Sequence, residues 1–223
     1  MLTTVRRTGW ILVAAVTPVW LIALLDGYYL GELLRWNLAA FWLQDFIHWV
    51  IVPGCIVLWL RGRWNISPPD YGLSWPPAKV ADLVWISIIV GIALYVAWFF
   101  PKRFAWTILD HPLPYFQLGD AMPTNELRFP LVVYLALTAG LVESIFFIGL
   151  PWLALTRIAK APSKVKFTIL TSQIFALTHW EQGVHSVVGA FFFGLVACAS
   201  YFRLRDLWPA VLAHTAIDLI AFW

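Results

Sequence analysis

The chain has 223 residues, of which 61% are hydrophobic and only 12% are charged. A soluble domain is usually about 45–50% apolar and about 25% charged. The composition therefore excludes an ordinary soluble protein, a disordered chain and a disulfide scaffold, and leaves an integral membrane protein. The net charge of +3 does not indicate a nucleic-acid partner, because Lys and Arg in a membrane chain mark the loops and the side on which they lie.

Charge-poor runs that approach the ~30 Å thickness of a hydrocarbon core predict about seven membrane spans, within a range of six to eight. In chain order the runs are Thr8–Leu25, Trp36–Leu60, Leu83–Pro101, Phe129–Thr156, Phe167–Thr178, Ser186–Phe202 and Leu207–Trp223. The predicted fold class is an all-α, polytopic transmembrane helix bundle. We expect one membrane domain, made of N-terminal helices and loops (1–128) and core helices that carry the candidate site (129–223).

Most of the 15 basic residues fall in alternate loops, counted from the N-terminus. The positive-inside rule then predicts a cytoplasmic N-terminus, and we expect a bacterial inner (plasma) membrane with its lipids as the surroundings. Arg61–Asp82 is predicted to be a turn-rich cytoplasmic connection. Lys102–Arg128 is predicted to be an external loop, either a lid over the site or a plain connector. The first run has no signal-peptide cleavage pattern, so we expect an uncleaved span.

Ionisable side chains inside membrane spans are costly, and they usually face a cavity or a partner. Glu143 is the only charged residue in the run Phe129–Thr156, and His179 follows the fifth run. His214 and Asp218 lie one turn apart in the last run, so they share a helix face. A desolvated carboxylate can act as a general base on water, and an imidazole can donate to an oxyanion. These four groups supply what water attack on an amide requires.

Other ionisable residues receive simpler interpretations. Asp45 and His48 share a face of the second helix, and a polar contact within the bundle is favoured over a proton path or a substrate contact. Glu181 and His185 follow His179, and an exposed turn is favoured over a cavity rim. Histidine ligation of haem is a further alternative, which would use His48, His179, His185 and His214.

Three short motifs then occur in order along the C-terminal half. They are Glu143-Ser-Ile-Phe-Phe-Ile-Gly149, Phe175-Ala-Leu-Thr-His179 and His214-Thr-Ala-Ile-Asp218. From about Leu131 to the end, the chain resembles the CPBP family of intramembrane proteases. That family includes the CAAX prenyl endopeptidases and bacteriocin-immunity-type proteins.

The resemblance implies a glutamic-type intramembrane endopeptidase that hydrolyses a peptide bond near the membrane. Its substrate would be a membrane-associated or exported protein, for instance at the C-terminal tail. Glu143 and His179 would activate water, while His214 and the residue at 218 would stabilise the oxyanion. Because an ionised Asp cannot donate a hydrogen bond, Asp218 is expected to orient His214. The resemblance implies no metal, and the alternative is Zn²⁺ held by the same four residues, Glu143, His179, His214 and Asp218.

The first motif departs from the family pattern at two positions. Ser144 stands where the family has a second Glu, and Ile148 stands where it has an Arg. A carboxylate and a guanidinium four residues apart on a helix can pair, so their joint loss indicates deletion of a structural ion pair. The same departure keeps open a second function, a non-catalytic membrane immunity or assembly factor on the same scaffold.

Overall fold

The computed structural model describes residues 2–74, 80–109 and 121–223, and within these ranges it contains helices and no strand. Seven helices follow one another along the chain. They are α1 (Leu2–Trp36), α2 (Leu38–Trp64), α3 (Val80–Ile108), α4 (Arg128–Ile158), α5 (Lys164–Leu177), α6 (Val184–Leu204) and α7 (Trp208–Phe222). The predicted all-α helix bundle is therefore confirmed.

Five of these helices are long and apolar enough to cross a membrane, namely α1, α2, α3, α4 and α6. Helices α5 and α7 are apolar but shorter. The length and composition of these helices indicate an integral membrane protein. Two predicted boundaries were wrong. Helix α1 extends well beyond Thr8–Leu25, and α3 continues to Ile108, so Lys102 and Arg103 lie in a helix and not in a loop. The choice between lid and connector falls mainly on 110–120, outside the described residues.

The helices alternate in direction, which defines two ends of the bundle. Gly9 of α1 contacts Ile158 at the end of α4, and we call this the N-terminal end. Arg128 at the start of α4 donates hydrogen bonds to the carbonyl oxygens of Phe222 and Trp223, and we call this the C-terminal end. Helix α6 packs between α3 and α5, and α7 packs on α3 and α4. Helices α2 and α3 leave most of their apolar length exposed, as expected for a lipid-facing surface.

The connection between α2 and α3 is more than a solvent-exposed turn. Its described part folds back into the N-terminal end, where Ile66, Tyr71 and Leu73 are buried. The backbone N–H of Leu207 donates to the Gly72 carbonyl over 2.7 Å, which links this connection to the start of α7. Gly149 of α4 faces the Tyr71 carbonyl so closely that a Cβ there would lie 2.5 Å from the oxygen. The prolines and glycine that predicted a turn therefore also close one end of the bundle.

Helix α4 contains a π-helical stretch, Ala139–Gly149, that includes Glu143. A π-helix is rare and is often found at functional sites, because its wider turn frees backbone groups and reorients side chains. Two neighbouring helices use backbone groups of this stretch. The Trp20 indole N–H donates to the Phe146 carbonyl over 2.8 Å, and the Thr171 hydroxyl donates to the Phe147 carbonyl over 2.6 Å. Helices α1 and α5 thus hold the widened segment in place.

Candidate active site

The π-helical stretch directs Glu143 toward α7, where two of the predicted site residues lie. The distance from Glu143 Oε2 to His214 Nε2 is 3.6 Å, and the distance from the same nitrogen to Asp218 Oδ2 is 3.4 Å. All three side chains are largely buried, with 11% to 16% of their surface exposed. Glu143 Oε2 has no hydrogen-bond partner among the described residues. Two carboxylates therefore flank one imidazole nitrogen without a conventional hydrogen bond to it.

A glycine sets this close approach of α4 and α7. A Cβ at Gly140 would lie 2.3 Å from the Thr215 hydroxyl and 2.8 Å from the Val211 carbonyl. Real side chains do not approach so closely, so only glycine permits this helix contact. Gly140 lies three residues before Glu143, and Thr215 lies next to His214. The glycine therefore determines how near the carboxylate and the imidazole can lie.

A small cavity adjoins the pair. Its volume is about 20 Å³, and this is room for about one water molecule. Glu143 and His214 line it together with Phe175, Phe193 and Thr171. Most of the wall is apolar, so a water held there would have few partners other than the two site residues. This environment strengthens electrostatic interactions within the site.

His179 makes no ion-pair contact with the other three residues among those that the structure describes. Its Nδ1 is 3.0 Å from the Phe175 carbonyl, and a carbonyl only accepts, so Nδ1 carries the hydrogen and Nε2 remains for water or substrate. The His179 ring packs edge-on against Phe175, while the His214 ring packs against Phe193 at 4.6 Å. Phe175 and Phe193 are stacked, with their centroids 5.9 Å apart. No ion-pair contact within 4 Å joins His179 to Glu143 among the described residues.

A second carboxylate and imidazole pair occurs between α1 and α2, and the sequence interpretation missed its acid, Asp26. His48 Nδ1 donates to Asp26 Oδ1 over 2.5 Å, and the Trp49 indole donates to Asp26 Oδ2 over 2.7 Å. The other ring nitrogen of His48 accepts from the Gln44 amide. One neutral tautomer of His48 satisfies both contacts. A charge near the end of the first apolar run was the feature that could have indicated Asp26.

Asp45 has a different partner from His48, although the two share a helix. The Tyr134 hydroxyl of α4 donates to Asp45 Oδ2 over 2.7 Å, and Asp45 is only 3% exposed. The predicted polar contact within the bundle is therefore confirmed, with separate partners on α1 and α4. Neither side chain reaches the Glu143 pair through a hydrogen bond among the described residues.

Glu181 corrects the prediction of an exposed turn. It lies in a short 3₁₀ turn, Trp180–Gln182, and is only 8% exposed. The turn is fixed to α1, because the Trp180 indole donates to the Leu24 carbonyl and the Glu181 stem packs on Gly27, where a Cβ would lie 2.4 Å away. Burial raises the pKa of Glu181 to about 7. The turn is buried because Gly27 leaves room for the Glu181 side chain to pack against the backbone of α1.

The four predicted residues do not form a ligand set in this structure. Among residues 2–74, 80–109 and 121–223, no three His, Cys, Asp or Glu side chains are placed so that they could hold one metal ion. The metal-free mechanism and the Zn²⁺ alternative both stay predictions. No mechanistic step is assigned to a metal.

The two departures in the first motif lie in apolar packing. Ser144 is 4% exposed and Ile148 is 6% exposed, and both line the cavity beside Glu143. A Glu and an Arg at these positions would be two buried charges that needed each other. Because both positions carry uncharged side chains here, neither leaves a buried charge without its partner.

The fold and the site define a helical integral membrane protein with a buried carboxylate and imidazole centre. Residues 125–220 match the model of a protein family described as type II CAAX prenyl endopeptidase Rce1-like. This match confirms the resemblance predicted from the three motifs and supports a CAAX protease-type function within the membrane. No curated protein matches the chain, and no solved structure does.

Proposed function

We propose that this protein is an intramembrane endopeptidase in which Glu143 activates water. The observation that carries the proposal is the state of the Glu143 carboxylate. Its Oε2 is buried without a hydrogen-bond partner in the described part of the chain, lies 3.6 Å from His214 Nε2, and borders a cavity with room for about one water. A buried polar atom without a partner costs stability, so its presence at a family motif favours a functional role.

In the proposed reaction, Glu143 accepts a proton from water while the oxygen attacks the carbonyl carbon of the scissile bond. Negative charge then develops on the carbonyl oxygen, and an N–H of His214 donates to it. Collapse of the tetrahedral intermediate breaks the C–N bond. The proton held by Glu143 passes to the leaving amine, which completes hydrolysis without a covalent enzyme intermediate.

Asp218 and His179 take supporting roles in this proposal. Asp218 lies 3.4 Å from His214 Nε2, and we assign it to orienting the imidazole through the electrostatic attraction between its carboxylate and the ring. His179 offers its Nε2, because its Nδ1 faces the Phe175 carbonyl. We assign it to the attacking water, together with Glu143, as the family resemblance implies. The proposed mechanism uses no cofactor, and loss of cleavage on chelation with recovery on added Zn²⁺ would contradict it.

The proposed substrate class is based on the position of the site within the helix bundle. The described helices carry the site within the bundle, so recognition depends on the membrane-embedded cavity. We propose a membrane-associated or exported protein substrate, cleaved near the membrane in a segment such as its C-terminal tail. With the N-terminus in the cytoplasm of a bacterial inner membrane, as the basic loops predict, the C-terminal end of the bundle and the turn at Glu181 face outward.

The competing function is a non-catalytic immunity or assembly factor. Ser144 and Ile148 favour it, because they remove two charged positions of the family motif. The retained arrangement of Glu143, His214 and Asp218 favours catalysis, since Glu143 Oε2 has no hydrogen-bond partner among the described residues and borders a cavity with His214.

Comparison of the membrane and exported proteins of three strains tests the proposal. The strains express the wild-type protein, Glu143→Gln, or the control Glu126→Gln, which changes an exposed acid outside the site. We expect unprocessed protein tails to accumulate only with Glu143→Gln. Identical peptide profiles in all three strains, with a cellular phenotype that Glu143→Gln still supports, would favour the non-catalytic function.

A further inference from the structure

One face of α3 near the C-terminal end of the bundle carries a cation. Trp98, Lys102 and Ala105 recur at helical spacing and are partly or fully buried, whereas Arg103 points away and is exposed. A lysine at a membrane interface usually extends its ammonium outward, and Arg103 fits that description. Lys102 instead lies on the face that packs against the rest of the bundle, where an apolar residue is expected.

The start of the Lys102 side chain is fixed against α6. A Cβ at Gly189 would lie 3.0 Å from Lys102 Cβ and 3.0 Å from the Trp98 carbonyl. Glycine at this position of α6 therefore allows α3 to approach at the turn that carries the lysine. The ammonium lies 4.4 Å from the centroid of the Trp98 ring, a cation–π distance.

Lys102 is directed toward the candidate site. The Trp98 ring beneath its ammonium contacts the His179 ring edge-on, with centroids 6.0 Å apart. The charge of Lys102 also lies within electrostatic range of His179. No carboxylate comes within 4 Å of the ammonium among the residues that the structure describes. A partly buried cation beside a site histidine thus has an aromatic ring under it and no anionic partner.

We propose that Lys102 binds a carboxylate of the substrate and so determines specificity, an inference that rests on the proposed function. The bound peptide would supply an anion that the described residues do not place within 4 Å of Lys102, and Trp98 would fix the direction of the ammonium. The carboxylate has two sources, the free C-terminus of a protein tail or an acidic side chain near the scissile bond. Hydrogen bonds between charged groups change affinity by about ten- to a hundredfold in this setting.

The test uses three S-farnesylated CAAX-type peptides of otherwise identical sequence. One has a free C-terminal carboxylate, one has a C-terminal amide, and one has the amide with an added Asp side chain near the end. Binding is measured with Glu143→Gln protein in phosphatidylcholine nanodiscs, and cleavage is measured separately with active protein. Each measurement is repeated with Lys102→Met, Lys102→Arg and the matched control Arg103→Met.

We expect the free acid to bind about ten- to a hundredfold more tightly than the amide, and Lys102→Met to remove that preference while leaving amide binding unchanged. Lys102→Arg retains the positive charge and should retain most of the preference, and Arg103→Met should behave like the parent protein. Recovery of binding by the Asp-containing amide would identify an acidic side chain as an equivalent source.

Equal binding of acid and amide, or an equal loss of both in Lys102→Met, would overturn the inference. A Lys102 effect that appears only in nanodiscs containing anionic phosphatidylglycerol would also overturn it, in favour of a lipid headgroup. The result remains separable from the proposed function. If the peptides are cleaved but the free acid binds no more tightly than the amide, only the role of Lys102 is refuted. If the free acid binds more tightly but wild-type protein cleaves neither peptide, only the peptidase function is refuted.

Discussion

Two carboxylate and imidazole pairs lie in the same bundle, and they differ in how well their hydrogen bonds are satisfied. Asp26 and His48 are 2.5 Å apart, and Trp49 and Gln44 satisfy the remaining atoms. Glu143 Oε2 and His214 Nε2 are 3.6 Å apart, and this oxygen has no hydrogen-bond partner within the ranges that the structure describes. A complete set of hydrogen bonds stabilises the fold, whereas an incomplete set beside a cavity leaves atoms available for water and substrate. We therefore interpret the first pair as structural and the second as reactive.

The largest effect is expected for His214→Ala, which removes the proposed oxyanion donor. Loss of such a donor lowers kcat by about 10²- to 10³-fold. The thermal midpoint should also fall, because truncation removes a buried ring that packs against Phe193, so kcat is compared per folded molecule. Cleavage rates and melting of the purified protein in detergent measure both quantities. Retention of wild-type kcat would place the reactive centre elsewhere.

Gly140→Ala should come next, because it separates α4 from α7 without changing either site residue. The added Cβ would overlap the Thr215 hydroxyl and the Val211 carbonyl. Overpacking of this kind costs about 1–3 kcal/mol, and a displacement of about 1 Å at a reacting centre can cost about 10²-fold in rate. Gly54→Ala is the control, since a Cβ there meets nothing within 4 Å. Equal activity of the two variants would show that the helix approach does not set the geometry.

Asp26→Ala should lower stability and leave kcat unchanged, whereas His214→Ala should lower kcat strongly. It leaves the half-buried Trp49 indole and the His48 ring without their acceptor, and an unsatisfied donor costs about 1–3 kcal/mol. The thermal midpoint should fall, while kcat per folded molecule stays close to that of the wild type. Glu126→Ala provides a control at an exposed acid. A large fall in kcat with an unchanged midpoint would make the Asp26 pair part of the reactive centre.

The smallest effect is expected at Glu181, which lies within electrostatic range of both Asp26 and Glu143. Burial raises the pKa of Glu181 from an ordinary 4.5 to about 7. The folded protein therefore holds a proton that the unfolded chain has lost, so this stabilisation is present below about pH 4.5 and disappears as the pH rises through about 7.

Glu181→Gln removes that titration. The thermal midpoint of the wild type should decline more steeply between pH 5 and pH 8 than the midpoint of the variant. Parallel pH profiles for the two proteins would show that burial does not raise the pKa of Glu181.

The sequence predicted the helical class and the site residues for different reasons. Long apolar runs give helices directly, and the spacing of His214 and Asp218 places them on one face. The proximity of Glu143 to His214 required contacts between distant segments, which depend on Gly140 and on the π-helical turn. Neither feature can be recognised from local periodicity, because a π-helical stretch has the same apolar composition as an α-helix.

The predictions that failed also depended on long-range packing. The polar turn around Glu181 has the composition of an exposed loop, but Gly27 on a distant helix provides space for it. Lys102 appeared to begin a loop because it is charged and follows Pro101, yet the helix continues past both. Asp26 lay just beyond the end of a predicted span and was not considered with its partner His48. The metal-free mechanism, the division at residue 128 and the membrane orientation stay predictions.

The most direct test of the central claim measures cleavage and thermal stability of purified Glu143→Gln protein together. We predict that kcat falls by about 10²-fold or more, while the thermal midpoint stays equal to that of the wild type or rises. A rise is expected because the substitution replaces a buried, unpartnered carboxylate with a neutral amide. Cleavage at the wild-type rate by the folded variant would contradict the assignment of Glu143 as the residue that activates water.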